Sequence, residues 1–156
     1  MNIAELLGPD RVIRCSQIGS KKKLLEHVSG LLAQATQLLT PNEIFDSLVS
    51  REKLGSTGLG KGVALPHGRM SHLDRPVCAF IKLDEAVEFD AMDGKPVDLV
   101  FALLVPEEST EEHLQVLSTI AEMFSNPAFC IEMRNCDNDA CLFGLLNRRE
   151  AQQKSA

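Results

Sequence analysis

The 156 residues contain no tryptophan and no tyrosine. A core must therefore be built from Leu, Val, Ile, Ala and Phe, and a platform for single-stranded nucleic acid would have only Phe for base stacking. Positive charge is also scarce: 16 Lys and Arg against 22 Asp and Glu give a net charge of −6. An acidic chain repels polyanions, which argues against nucleic acid as a partner. The strongest apolar run, Leu99 to Val105, falls far below the roughly 20 residues of a membrane-spanning helix, so no membrane insertion is expected. The first residues, Met-Asn-Ile-Ala-Glu-Leu-Leu-Gly-Pro, are too short and too polar for a secretory leader. The five cysteines, at 15, 78, 130, 136 and 141, include no CxxC pair. Metal knuckles need closely paired ligands, so no metal site is expected. In an unsecreted chain these cysteines read as reduced thiols. The combined expectation is a cytoplasmic protein.

Repeats and low-complexity linkers are missing too, which predicts one domain over residues 1–150 with a loose tail at 151–156. Val and Ile between Arg11 and Cys15 suggest a short strand. Ser20 is placed to cap a helix reaching about Gln37, whose Leu24, Leu25, Val28, Leu31, Leu32 and Ala35 follow a helical period. Thr40-Pro41-Asn42-Glu43 combines an N-cap, a proline at the first helical position and a capping-box glutamate. That helix should run to about Lys53. Strands are expected at Val63–Leu65, Val77–Leu83 and Val97–Val105, the last nearly all apolar and so covered on both faces. Ser109 and Glu112 form a capping box for a helix to Phe124 or Ser125. Pro127 opens a helix ending near Asn135, and Asp137 caps one reaching about Arg149. Helices before and after a buried strand predict an α/β fold: a single mixed β-sheet with helices on both faces.

Between the second helix and the Val63 strand lies Gly55-Ser-Thr-Gly-Leu-Gly60-Lys61, most of a Walker A pattern. The pattern next requires Ser or Thr for magnesium, and Gly62 stands there instead. A P-loop also joins a strand to a helix, whereas this loop follows a helix and enters Val-Ala-Leu-Pro, which Pro66 biases toward extended backbone. Nucleotide binding is therefore disfavoured. The glycines permit positive φ and close backbone approach, and a turn rich in N–H groups is a possible anion nest; the alternative is a flexible loop. The segment ends on His67, held between Pro66 and Gly68, an arrangement suited to presenting one imidazole.

Of the other histidines, His27 reads as a partly solvated helix residue and His72 as a loop residue, with proximity to the His67 site an open alternative. His113 falls in the first turns of a helix just beyond a buried strand, where sites gather in open α/β sheets and where anions are favoured; a surface role is the alternative. Arg51 ends the helix entering the glycine loop. It suits a helix C-terminus on dipole grounds, and its planar fork also suits a phosphate.

The pattern Arg51-Glu52-x-x-x-Ser56-Thr57-Gly58-x-Gly60-x-Gly62-x-Ala64-Leu65-Pro66-His67 resembles the active-site segment of the fructose/mannitol-type IIA proteins of the bacterial phosphotransferase system. Val105-Pro106 followed by Glu112-His113-Leu114-x-x-Leu117 resembles that family's second histidine region. Asn2-Ile-Ala-Glu-Leu-Leu7 and the chain length resemble the nitrogen-regulatory branch. The resemblance implies a phosphohistidine carrier: His67 accepts a phosphoryl group on Nε2 from an HPr-like phosphocarrier, supported by Arg51 and His113, with Thr57 and the N–H groups near Gly58 and Gly60 as further donors. It implies no cofactor and no metal. Phosphorylation would switch binding to targets such as sensor kinases or potassium-transport components. A sugar-specific IIA that passes phosphate to a IIB partner shares these motifs and stays open, as does a protein-binding module that is never phosphorylated.

Overall fold

The computed structural model describes the backbone of residues 3–108 and 110–155; the side chains of residues 4, 110, 112, 113 and 149–155 lie outside the description. A short helix α1 (Ile3–Leu7) and a 3-10 turn (Pro9–Arg11) lead into β1 (Val12–Cys15). Helices α2 (Lys21–Ala33) and α3 (Pro41–Glu52) follow, then β2 (Gly58–Gly60), β3 (Val63–Ala64), β4 (His67–Met70), β5 (Val77–Val87) and β6 (Val97–Pro106). The chain closes with α4 (Thr110–Phe124), α5 (Pro127–Arg134) and α6 (Asp139–Ser155).

Among the described residues, six strands form one mixed sheet in the order β1-β5-β6-β3-β2. β5 and β6 are antiparallel, and β1 runs parallel to β5. The free edge of β6 carries two short parallel partners in succession: β3, with Val63 opposite Leu99, and β4, with His67 opposite Leu103. Period-two alternation along β6 serves both faces. Leu99, Phe101, Leu103 and Val105 point into a core with α1, α4, α5 and α6. Val100, Ala102 and Leu104 point into a second core with α2 and α3. A strand buried on both sides has no room for polar alternation, and each fully buried large side chain contributes about 1.5–3 kcal/mol. Without Trp or Tyr, the first core is filled by Phe80, Phe101, Phe124 and Phe129, whose ring centroids lie 5.4–6.3 Å apart along the cluster.

Local signals set several boundaries. Ser20 Oγ accepts the Lys23 N–H at 3.2 Å and caps α2. Thr40 and Glu43 form the expected capping box on α3. α2 ends earlier than its apolar period suggests: Gln34, Ala35 and Thr36 bond three residues back and tighten the end. The last helix is capped by Asn138, whose Oδ1 accepts the Cys141 N–H at 2.9 Å, in place of Asp137. Asp139 is held elsewhere, its carboxylate accepting the Arg14 N–H. α6 also continues to Ser155. Ala-Gln-Gln-Lys contains good helix formers and no breaker, so propagation proceeds one bond per residue. The Ser109–Glu112 capping box lies outside the described residues. A further correction concerns the thiols. Cys136 and Cys141 form a disulfide across the α5–α6 turn, their Cα atoms 5.6 Å apart, while Cys15, Cys78 and Cys130 remain thiols. The spacing of five makes no CxxC pattern, and only the turn brings the two together.

Candidate active site

His67 begins β4, and its neighbours explain why the chain needs proline before it and glycine after it. The Pro66 carbonyl accepts the Leu103 N–H at 3.0 Å, so β4 joins β6 at once. At Gly68 a β-carbon would lie 2.5 Å from Ser47 Oγ of α3. Glycine therefore lets α3 approach β4 closely, and Ser47 Oγ donates to the Arg69 carbonyl at 3.1 Å. The result is a depression of roughly 390 Å³ lined by His67, Gly68 and Arg69 on one side and Ser47, Ser50, Arg51 and Leu54 on the other. Leu54 stands 84% exposed at this depression.

His67 is half-buried, and its Nδ1 lies 2.8 Å from the Leu65 carbonyl oxygen. A carbonyl only accepts, so Nδ1 must carry the proton and the neutral ring keeps its lone pair on Nε2. The imidazole pKa is held below its ordinary value, chiefly by burial. The Leu65 bond and Glu52 oppose that shift, and Arg51 reinforces it. A neutral ring with one defined basic nitrogen is a nucleophile at neutral pH. Arg51 lies in the last turn of α3 and donates through Nη1 to the Gly55 carbonyl at 2.9 Å. Arg51 and His67 line the same depression. For His113 the backbone lies in the first turns of α4, and its side chain is outside the described residues.

The glycine-rich loop differs from the expected anion nest. Its N–H groups face the protein's own carboxylates: Lys61 N–H donates to Asp93 at 2.8 Å, and Thr57 N–H to Glu52 at 3.1 Å. The Thr57 hydroxyl also bonds Glu52, and the side chain is buried. Gly58 N–H donates to Ser56 Oγ at 3.1 Å. Thr57 and Gly58 are therefore engaged internally and do not line the depression. Gly62, the position that breaks the Walker pattern, has φ 82°, and a β-carbon there would meet Arg134 Nη2 at 2.5 Å and Asp98 Oδ1 at 2.8 Å. Arg134 grips Asp98 through Nε and Nη2, both at 2.9 Å, and donates to the Lys61 carbonyl. Gly58 and Gly60 belong to β2, and Gly62 makes room for this fork.

His72, with φ 68°, lines a different depression, with Asp74, Glu107 and Glu108. His27 Nε2 sits 3.5 Å from Cys15 Sγ on an exposed face of α2. Among the described residues, no group of three or more His, Cys, Asp or Glu is placed to hold a metal ion, and no helix is long and apolar enough to cross a membrane. Sequence reasoning missed the roles of Glu52 and Asp93. Glu52 left one signal: a carboxylate at a helix C-terminus is opposed by the dipole and calls for a partner.

A family model described as "Phosphoenolpyruvate-dependent sugar phosphotransferase system, EIIA 2" matches residues 5–149. The chain belongs to this IIA family. As a IIA protein it is similar to the nitrogen regulatory protein of Pseudomonas aeruginosa, with 42% identity over 146 residues that cover 94% of this chain and 95% of the relative. The crystal structure of nitrogen regulatory protein IIA-Ntr from Neisseria meningitidis superimposes with a TM-score of 0.86 at 43% identity, covering 92% of this chain and 98% of that one. The IIA mannitol structure from Escherichia coli shares the fold at 21% identity, with a TM-score of 0.69 over 90% of this chain and 98% of that one. By identity, this IIA chain stands nearer to the nitrogen-regulatory relatives than to that mannitol protein.

Proposed function

We propose that this chain is a phosphohistidine carrier that accepts a phosphoryl group on Nε2 of His67 from an HPr-like phosphocarrier and uses the phosphorylated state as a signal. The observation that carries the reading is the His67 ring itself: Nδ1 is committed to the Leu65 carbonyl at 2.8 Å, and burial keeps the ring neutral. In the transfer, the N–P bond of the donor phosphohistidine breaks as the bond from Nε2 of His67 to phosphorus forms. The donor ring leaves with the electron pair of the N–P bond, and the proton stays on Nδ1 of His67, still donated to the Leu65 carbonyl. Arg51, lining the same depression, supplies positive charge to the equatorial oxygens, so positioning and electrostatics carry the catalysis. His113 is the second phosphate-supporting group, a role that rests on the family motif. Residues 1–150 act as one phosphoacceptor domain in the cytoplasm.

The similarity to nitrogen regulatory proteins supports a regulatory role over sugar transport. Phosphorylation adds about −1.5 to −2 charge beside an exposed leucine, which suits a switch in binding to a sensor kinase or potassium-transport component. The test incubates the protein with phosphoenolpyruvate, enzyme I and an HPr-like carrier. The expected product gains one phosphoryl group, acid-labile and base-stable, and His67→Ala removes the gain. Full labelling of His67→Ala defeats the site; no labelling of the native chain supports a binding module. Rapid onward transfer to a sugar-specific IIB protein supports the transport reading. His113→Ala is expected to slow transfer or shorten the life of the phosphoprotein.

A further inference from the structure

Two charged residues stand at the wrong ends of their helices. Lys21 opens α2 and Glu52 closes α3, each where the helix dipole disfavours its sign. They pair with each other: Lys21 Nζ lies 2.9 Å from Glu52 Oε2, and the Glu52 side chain is only 6% exposed. Lys21 also donates to the Phe89 carbonyl at 3.2 Å and sits 4.5 Å above the Phe89 ring. The Glu52 carboxylate receives both the N–H and the hydroxyl of Thr57. The Thr57 carbonyl accepts the Leu65 N–H at 3.0 Å. The Leu65 carbonyl then meets Nδ1 of His67 at 2.8 Å. A series of contacts thus runs from an ion pair to one ring nitrogen; each step crosses a Cα between two peptide groups, so it acts by fixing position.

We propose that Glu52, backed by Lys21, is a positioning residue: through Thr57 and Leu65 it holds the carbonyl that decides which nitrogen of His67 carries the proton. The inference deepens the reading of His67 as a phosphoryl acceptor and rests on it. Glu52 does not touch the depression's outer surface; it acts through the Thr57–Leu65 ladder. The neighbouring Arg51 leaves α3 in the same turn, so one anchored helix end sets both partners.

The test reads the tautomer directly, by nitrogen NMR of the whole chain labelled at histidine. Native His67 is expected as the Nδ1–H form. In Glu52→Ala the preference relaxes to a mixture, and phosphoryl transfer from an HPr-like carrier slows on the order of 10- to 100-fold, with little change in the carrier concentration giving half-maximal rate. Glu52→Gln keeps an oxygen for the Thr57 N–H and restores most of the tautomer preference. Should Glu52→Ala not fold because Lys21 keeps only the exposed Asp90 carboxylate at 3.6 Å, Lys21→Met/Glu52→Ala cuts the same link without a poorly paired charge. A folded variant of either kind with the native tautomer and native rate overturns the proposal, whatever its melting temperature. A native chain that takes up no phosphate sinks the proposed function, while the tautomer comparison still decides the role of Glu52.

Discussion

Leu65 presents its carbonyl to the side chain of His67, two residues later, at 2.8 Å. The contact fixes the neutral tautomer, while burial lowers the pKa of the ring. Acceptor activity should therefore hold as pH falls through the ordinary histidine value of about 6.5 and decline only below it. The folded state binds fewer protons than the unfolded chain in that interval, so this group's contribution to stability is complete above about 6.5. It is lost progressively as pH falls from there to the folded pKa, and it levels off below. Histidine NMR titration alongside denaturant melts at several pH values checks both; a His67 pKa above 6.5 would contradict them.

Arg51 is expected to act on the same ring through space. Arg51→Ala should raise the pKa of His67, because a neighbouring positive charge is removed. It should also slow phosphoryl transfer on the order of 10- to 1000-fold. Arg51→Lys should recover the pKa effect better than the rate, since lysine lacks the planar fork. Equal recovery of both would mean that charge alone matters.

Completing the Walker pattern should fail in an informative way. Gly62→Ser demands φ near 82° of a residue with a β-carbon, and that carbon meets the Arg134–Asp98 fork. A loss of about 1–3 kcal/mol in stability is expected, with no gain of magnesium–nucleotide affinity. Calorimetry for both melting and ATP titration gives the answer; nucleotide binding by this variant would reinstate the P-loop reading.

Gly68→Ala should disturb both stability and phosphoryl acceptance, because its β-carbon would sit 2.5 Å from Ser47 Oγ. Overpacking of this kind costs about 1–3 kcal/mol. Removing the hydroxyl in Gly68→Ala/Ser47→Ala leaves the nearest contacts near 3.5 Å and should restore most of the loss. An additive double variant would place the damage elsewhere.

The Cys136–Cys141 bridge closes a short loop, with a sequence separation of 5. Loop-closure entropy then gives about 2 kcal/mol. Cys136→Ser/Cys141→Ser should melt below the native chain under oxidising conditions and at the same temperature in excess reductant. A gap that survives reduction would assign the effect to packing of buried Cys136.

Local chemistry made much of this chain legible. Thr40 and Glu43 determined the start of α3, because a capping box involves only neighbours. The apolar run at β6 determined a strand covered on both faces. Arg51, the glycine-rich loop and His67 marked a candidate site through a motif contiguous in sequence. Tertiary structure decided what the loop's donors bind. Thr57 and the N–H groups of the glycine-rich turn were expected as anion donors, but Glu52 and Asp93 reach Thr57 and the Lys61 N–H from outside the loop. β4 was equally hidden, since His67–Met70 becomes a strand only by pairing with β6, 36 residues further along the chain. The bond from Cys136 to Cys141 depends on a turn, and the tautomer of His67 depends on where Leu65 points its carbonyl. Sequence alone identified the imidazole, because proline before it and glycine after it are local constraints. Only the fold determined which of its nitrogens carries the proton, because a hydrogen bond is set by the position of its acceptor in space.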